Sequence, residues 1–242
     1  MSEDAFSLTT RGEAGTVFAV TPLRPPLAVR AGGHIVVEGP IGVGKTSLAE
    51  RLAEVYGAQR IFEQPQENPF IERFYQMRRQ YALSTQLFFL FQRAAMLAPL
   101  RQQDLFRPLW VSDFLFEKDA LFARVTLDDD EFSLYDQVYQ QVAREPVRPD
   151  LVIYLQAPAE VLMDRIKRRG RDFERQLDRR YLEELVHAYT QFFYHYTDAP
   201  LLVVNATTAN FVDCDADFEA LLHHLQSIRS GRHFFNPLPM EL

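Results

Sequence analysis

The sequence predicts an α/β protein in which a parallel β-sheet is covered by helices on both faces. Four short, almost continuously apolar runs are typical of buried parallel strands, and segments with the 3.6-residue period of helices separate them. The 242 residues, 47% of them hydrophobic, are enough for one large domain with a substantial core. We therefore expect one α/β domain, and two small domains are the alternative.

The first 33 residues differ in composition from the rest of the chain. They are polar at first and then rich in proline and glycine, and they show no sustained helix or strand period. We expect residues 1–33 to form a flexible extension and residues 34–242 to form the folded domain. A short edge strand over residues 16–20 is the alternative for part of the extension.

A glycine-rich loop follows the first predicted core strand, at residues 35–37, and leads into a helical segment. Glycines let successive N–H groups of such a loop turn toward an anion, and the helix adds the positive end of its dipole. The GxxxxGKT spacing fits a nucleoside triphosphate, with the lysine on the β- and γ-phosphates and the threonine hydroxyl on Mg²⁺. A turn without a ligand is the alternative. The loop residues are Gly39, Pro40, Ile41, Gly42, Val43, Gly44, Lys45, Thr46 and Ser47.

Two acids end predicted strands, at the edge where parallel sheets bind ligands. Glu63 ends a short strand-like segment over residues 60–63, where a carboxylate can accept the proton of an attacking hydroxyl. Asp113 ends the second core strand, over residues 109–113, where an acid commonly holds Mg²⁺. The alternatives are a surface position for Glu63 and a structural ion pair of Asp113 with Lys118.

Helices are predicted where apolar residues recur every three or four positions. Two prolines after Glu63 exclude a helix interior, so we expect a helix to begin at Pro69. In a long helix over residues 82–100, Gln86 and Arg93 share one face because they lie about two turns apart. The later strands are expected at 151–155 and 201–204, and the later helices at 159–169, 181–196 and 218–228.

Gln86 and Arg93 are polar residues within this mostly apolar helix. A buried polar group needs a hydrogen-bond partner, and the edge of a nucleobase offers one. Neighbouring loops that satisfy the two side chains are the alternative. The many phenylalanines nearby are more often core residues than cofactor contacts, although one or two of them can stack on a base.

Six cations lie between residues 165 and 175, a high density for a chain of formal net charge −7. Arg165 and Arg169 are one helical turn apart and a glycine follows, so we expect them to close over a nucleotide and stabilise the charge of phosphoryl transfer. A solvated basic helix face is the alternative. We expect Lys167 and Arg168 to lie on such a solvated face.

The composition also excludes some function classes. A negative net charge disfavours a general binder of nucleic acids or of anionic membranes. A single cysteine permits neither an internal disulfide nor a thiolate cluster for zinc. Apolar stretches stay shorter than the roughly 18 residues that a membrane span needs. We expect a cytoplasmic protein with a small-molecule substrate.

Together these segments resemble the deoxynucleoside kinases, and among them the bacterial deoxyadenosine and deoxyguanosine kinases. The resemblance covers roughly residues 34–230 and keeps the order and spacing of the family's motifs. It implies a P-loop kinase fold with a short arginine-rich lid, a homodimer, and transfer of the ATP γ-phosphoryl group to the 5′-hydroxyl of a deoxynucleoside in nucleotide salvage. It rests on the loop at 39–46, Glu63, the segment 67–70, Phe74, Tyr75, Gln86, Arg93 and the run 165–171.

The resemblance also implies roles for single residues. It makes Glu63 the base that activates the 5′-hydroxyl. It assigns Tyr75 and Glu174 to the sugar 3′-hydroxyl, and Gln86 and Arg93 to the base edge. The remaining implied contacts are Phe122, which stacks on the base, and Arg165, Arg169 and Arg171, which form the lid over the donor phosphates.

One segment departs from the family pattern. Where many members have an acid followed by arginine and serine, this chain has Asp113-Phe114-Leu115, so an arginine that helps hold the 5′ end is missing. Asp113 matches either the acid or the arginine position, depending on a shift of one residue. Lys118 is our candidate replacement for the arginine. The variant segment is closer to the deoxyguanosine type than to the deoxycytidine type, which favours a purine substrate.

Two rival functions stay open at this point. A nucleoside monophosphate kinase of the thymidylate kinase type would share the scaffold, but it needs basic groups where Glu174 would repel a second phosphate. A P-loop regulatory ATPase would need the glycine-rich loop but no pocket for an acceptor, whereas the residues of this chain indicate such a pocket.

Overall fold

The structure, a computed structural model, describes residues 22–101, 108–143, 147–211 and 214–237. Within these ranges the strands are β1 (His34–Glu38), β2 (Gln59–Ile61), β3 (Trp110–Ser112), β4 (Leu151–Gln156), β5 (Leu201–Asn205) and β6 (Arg232–Phe235). They form one sheet in the order β2-β3-β1-β4-β5-β6, and every neighbouring pair is parallel. The predicted parallel α/β architecture is confirmed.

Helices connect the strands and cover the sheet. They are α1 (Lys45–Tyr56), α2 (Ile71–Gln76), α3 (Arg78–Met96), α4 (Ala98–Arg101), α5 (Lys118–Thr126), α6 (Asp129–Val142), α7 (Ala159–Arg169), α8 (Arg179–His195) and α9 (Asp215–Gln226). Short 3₁₀ turns lie at Pro65–Glu67 and Asp172–Glu174. Among the described helices, none combines the length and the apolar character that a membrane crossing requires.

The strands are apolar on both faces because each face packs against helices. Successive side chains of a strand point to opposite faces. In β1, Ile35 and Val37 belong to one buried cluster, with residues of α1, α7 and α9, whereas Val36 belongs to a second, with residues of α2, α3, α5 and α8. This arrangement accounts for the near-continuous apolar runs of the central strands.

Several boundaries differ from the sequence prediction. The helix expected over residues 82–100 begins earlier, at Arg78, and its last turn is the separate α4. The helices α5 and α6 were not predicted. The edge strand β6 was not predicted either. Its sequence, Arg-His-Phe-Phe, is half exposed and is not an unbroken apolar run.

The N-terminal segment falls partly outside the described residues. Residues 1–21, and with them the alternative edge strand, are not described. Residues 22–33, assigned to the extension, contact the domain: the backbone N–H of Leu23 donates to the carbonyl of Val55 at 2.9 Å, and Val29 is buried in the core. The last 12 of the 33 residues predicted as an extension are therefore packed on the domain.

Candidate active site

The glycine-rich loop connects β1 to α1 at the carboxyl end of the central strand, as predicted. Gly42 and Gly44 have φ values of 84° and 103°, in the left-handed region that favours glycine. A Cβ atom at Gly42 would also meet Ile166 of α7 at 2.7 Å. Lys45, the first residue of α1, folds its ammonium back onto the loop and donates to the carbonyl of Pro40 at 3.1 Å. The loop is therefore held in a tight turn.

One cavity joins this loop to the ends of β2 and β3. Lys45 and Thr46 line it on the loop side, and Glu63 and Asp113 line it where the two strands end. Arg165 is not on its wall. The other predicted site residues on the wall are Ile41, Gly42, Tyr75, Gln86, Arg93, Lys118, Phe122, Arg169, Arg171 and Glu174.

Lys45 lies in a cluster of mixed charge. Its burial and the neighbouring charge of Lys118 lower the pKa of Lys45 to about 8, while the carboxylates of Glu38, Glu63 and Asp113 oppose this decrease. A triphosphate that reaches the loop would add negative charge and favour the ammonium form further.

Asp113 joins the loop to the second strand end. Its Oδ2 accepts a hydrogen bond from the Thr46 hydroxyl at 2.5 Å, and its Oδ1 accepts one from the backbone N–H of Glu63 at 2.8 Å. Burial and the nearby Glu63 carboxylate raise the pKa of Asp113. A direct ion pair with Lys118 was the structural alternative, but the Lys118 ammonium bonds to Glu63 instead.

Glu63 is the centre of a buried charge cluster. Its Oε1 accepts from Arg93 Nε at 2.6 Å and its Oε2 accepts from Lys118 Nζ at 2.7 Å. Burial opposes the charged form, but the two cations outweigh it and lower the pKa of Glu63 to about 2. The side chain is 13% exposed, so the surface alternative for Glu63 is wrong.

Asp119 also belongs to this cluster, but the sequence analysis did not identify it as a site residue. Its Oδ2 lies 2.6 Å from Arg93 Nη1, and its Oδ1 accepts from the hydroxyl of Tyr135 at 2.9 Å. Arg93 therefore bridges Asp119 and Glu63, and these carboxylates raise the pKa of the guanidinium although burial opposes the charge. In the sequence, Asp119 looks like an ordinary acid in a segment for which no helix was predicted. Its one signal is its place directly after Lys118.

The arginines around the end of α7 have different partners. Arg169 Nη2 contacts both carboxylate oxygens of Glu174, at 2.6 and 2.7 Å, and Arg171 Nη1 lies 4.0 Å from one of them. Both arginines line the cavity. Lys167 and Arg168 are exposed, as expected.

Arg165 bonds to backbone carbonyls instead. It donates to Ala206 at 2.8 Å, to Thr207 at 3.3 Å and to Val43 of the loop at 3.5 Å. These bonds connect α7, the loop and the segment after β5. The role of Arg165 as a lid residue stays a prediction.

Residues expected at the sugar and the base line the rest of the cavity. The ring of Tyr75 stacks on Phe173, with centroids 6.4 Å apart, and burial together with the Glu174 charge raises its pKa. The Oε1 atom of Gln86 is buried and has no hydrogen-bond partner among the described residues. The rings of Phe122 and Tyr189 form a T-shaped pair, with centroids 6.0 Å apart.

Comparison with known proteins bears directly on this site. The family model for deoxynucleoside kinases matches residues 35–229. The chain belongs to the deoxynucleoside kinase family. The prediction from the sequence, an enzyme that phosphorylates deoxynucleosides with a nucleoside triphosphate as donor, is thus confirmed, and with it the P-loop kinase fold.

Relatives of this deoxynucleoside kinase align over most of their length. It is 30% identical to the deoxyguanosine kinase of Bacillus subtilis over 200 residues, which are 80% of this chain and 96% of the relative. It is 29% identical to the deoxyadenosine kinase of Dictyostelium discoideum over 208 residues, 82% of this chain and 81% of the relative. The structure of M. mycoides deoxyadenosine kinase with bound dATP superposes with a TM-score of 0.70 at 26% identity, covering 81% of this chain and all of that one.

Proposed function

We propose that this deoxynucleoside kinase transfers the γ-phosphoryl group of ATP to the 5′-hydroxyl of a purine deoxynucleoside, deoxyguanosine or deoxyadenosine, in nucleotide salvage in the cytoplasm. One observation carries the proposal: Glu63 shares a cavity with Lys45 and Thr46 of the glycine-rich loop. An acceptor hydroxyl beside Glu63 then lies next to the phosphate that the loop holds.

Catalysis in this site is mostly positioning and charge stabilisation. Lys45 and the loop N–H groups hold the donor phosphates, while Arg169 and Arg171 neutralise the charge that develops during transfer. Glu63 orients the 5′-hydroxyl and takes its proton as the new phosphorus–oxygen bond forms, and ADP leaves with the electron pair of the broken bond. The cations Arg93 and Lys118 lower the pKa of Glu63 and keep it in the carboxylate form, which is the form that can accept a proton.

Sugar and base contacts follow from the same cavity. Tyr75 and Glu174 bind the 3′-hydroxyl, and the contact of Glu174 with Arg169 links sugar binding to the lid. Gln86, with its unpartnered amide oxygen, and Arg93 read the base edge. Phe122 stacks on the base plane, and Arg165 supports the loop through its bond to the Val43 carbonyl.

The purine preference has two supports. The segment Asp113-Phe114-Leu115 resembles the deoxyguanosine-type kinases more than the deoxycytidine type. Two of the aligned relatives are a deoxyguanosine kinase and a deoxyadenosine kinase, and another is a deoxyadenosine/deoxycytidine kinase, so each of the three is named for a purine deoxynucleoside.

Thr46 and Asp113 would hold Mg²⁺. Their side-chain oxygens lie 2.5 Å apart, beside the loop that holds the phosphates, and Mg²⁺ is commonly bound by one or two carboxylates together with substrate phosphates. The residues present therefore fit the ion. When bound, Mg²⁺ neutralises charge on the β- and γ-phosphates.

The homodimer is also part of the proposal. Helices α3 and α6 pack on each other, and each presents a large apolar side chain to solvent: Phe91 is 54% exposed and Leu134 is 50% exposed. A second copy would cover both side chains. Light scattering should give twice the chain mass for the wild type and the chain mass for Phe91→Asp. A monomeric wild type would contradict the dimer.

A substrate panel tests the function. The four common deoxynucleosides and their monophosphates are each offered with ATP and Mg²⁺, and the phosphorylated product is measured. We expect kcat/KM for deoxyguanosine or deoxyadenosine to exceed the pyrimidine values by about tenfold or more. A preferred pyrimidine contradicts the purine assignment. Phosphorylation of monophosphates alone would favour the monophosphate kinase, and ATP consumption without a phosphorylated product would favour the regulatory ATPase.

A further inference from the structure

Glu38 is a buried acid that no motif accounts for. It is the last residue of β1, it directly precedes the glycine-rich loop, and its side chain is 0% exposed. A buried carboxylate is costly unless hydrogen bonds and opposite charges satisfy it. The groups that satisfy Glu38 therefore indicate its role.

Four donor groups surround the Glu38 carboxylate, two at each oxygen. Oε1 accepts from the backbone N–H of Gly39 at 2.7 Å and from the hydroxyl of Tyr189 in α8 at 3.0 Å. Oε2 accepts from the backbone N–H of Leu115 at 2.6 Å and lies 3.7 Å from the ammonium of Lys118. One oxygen is fixed by the central strand and α8, and the other holds the segment between β3 and α5.

Both contacts of the Glu38 Oε2 atom restrict the position of Lys118. The carbonyl of Leu115 accepts the backbone N–H of Lys118 at 3.3 Å, so fixing Leu115 also fixes the start of α5. The ammonium of Lys118 then lies between two carboxylates, Glu63 at 2.7 Å and Glu38 at 3.7 Å. Glu38 thus limits the position of Lys118 through the backbone and through charge.

We propose that Glu38 is a positioning residue that fixes Lys118, so that the ammonium meets Glu63 and the 5′ end of the acceptor during transfer. Glu38 does not line the cavity, and it therefore acts through Lys118 without touching the substrate. The effect on turnover rests on the proposed function. The placement of the Lys118 segment by Glu38 does not depend on it.

Glu38→Gln is the first test. An amide carries no charge and has one acceptor oxygen, so it cannot satisfy the four donors around it. We expect kcat to fall about tenfold while KM for the nucleoside changes less than about threefold, because the sugar and base contacts are retained. An unchanged kcat overturns the proposal.

A double-mutant cycle with Lys118→Ala separates positioning from a general structural effect. If Glu38 acts through Lys118, then Glu38→Gln changes kcat by less than about twofold once residue 118 is alanine. If the two losses multiply, Glu38 acts independently of Lys118 and the proposal is wrong.

Tyr189→Phe decides the question if Glu38→Gln does not fold. It removes one donor to Glu38 and keeps the carboxylate, and we expect a loss in kcat of about threefold. The matched control is Tyr196→Phe, since the Tyr196 hydroxyl is buried just after α8 and has no hydrogen-bond partner among the described residues. Equal kcat for the two variants contradicts the proposal.

Failure of this inference can be distinguished from failure of the proposed function. A wild-type enzyme that phosphorylates no deoxynucleoside contradicts the function. Amide hydrogen exchange then still tests Glu38, because residues 113–118 should exchange faster in Glu38→Gln than in the wild type. Unchanged exchange, or wild-type turnover in an active Glu38→Gln enzyme, contradicts the inference alone.

Discussion

The two halves of the cavity, which we propose bind the donor and the acceptor, are built from different kinds of groups. The donor half is one continuous loop with left-handed backbones at Gly42 and Gly44, and its residues Ile41, Gly42, Lys45 and Thr46 line the cavity. The acceptor half is a set of buried charged side chains from separate elements: Glu63 after β2, Arg93 in α3, and Lys118 and Asp119 in α5. The donor half therefore depends on local backbone geometry, and the acceptor half depends on the whole fold.

The largest expected effect comes from the acceptor half. Glu63→Gln keeps the shape of the side chain and removes the proton acceptor, so we expect kcat to fall about 10³-fold. The dissociation constant of ATP, measured by calorimetry, should change less than about threefold if the donor half is independent. The exposed Glu67→Gln is the control. A wild-type kcat for Glu63→Gln would show that another group takes the proton.

Arg93→Met tests whether the acceptor half also stabilises the fold. The substitution leaves the carboxylates of Glu63 and Asp119 buried without the guanidinium that joins them. We expect the free energy of unfolding, measured with urea, to fall by about 3 kcal/mol. Arg79→Met, at an exposed position of the same helix, should change it by less than about 0.5 kcal/mol. Equal losses for the two variants would contradict the bridging role of Arg93.

Lys118→Ala tests the replacement of the family arginine. We expect kcat to fall about 10²-fold, as for the loss of one donor that stabilises developing charge. Lys167→Ala, at an exposed lysine, is the control and should leave kcat unchanged. If Lys118→Ala turns over like the wild type, another group holds the 5′ end.

The smallest expected effect lies in the lid. In the proposed function, Arg171 is one of several cations that contact the donor phosphates, so Arg171→Ala should raise KM for ATP and lower kcat/KM for ATP by about tenfold. Arg168→Ala, which removes an exposed arginine from α7, should change neither value. A matching loss in both variants would mean that the basic run acts by its total charge and not by the position of single side chains.

The sequence predicted the donor half better than the acceptor half for a physical reason. The loop is contiguous, and its spacing alone specifies the backbone turns, so the tight turn from Gly39 to Thr46 could be predicted without a structure. The core strands could also be predicted from the sequence, because burial on both faces requires unbroken apolar runs.

Contacts between side chains that are far apart in the sequence could not be predicted in this way. Asp119 and Glu38 are single acids in unremarkable sequence contexts, and their importance follows from contacts with residues 26 and 77 positions away, Arg93 and Leu115. Arg165 shows the reverse case. Its spacing from Arg169 suggested a shared target, but the two side chains point to different partners.

The order of the sheet has a consequence for how the enzyme is made. The central strand β1 hydrogen-bonds to β3 and β4, so that Ile35 pairs with Val111 and with Leu151, 76 and 116 residues further along the chain. Such distant pairing is slow to form. A ribosome must therefore release more than half of the polypeptide before the strand that leads into the glycine-rich loop acquires both neighbours. The nascent chain depends on avoiding aggregation until then.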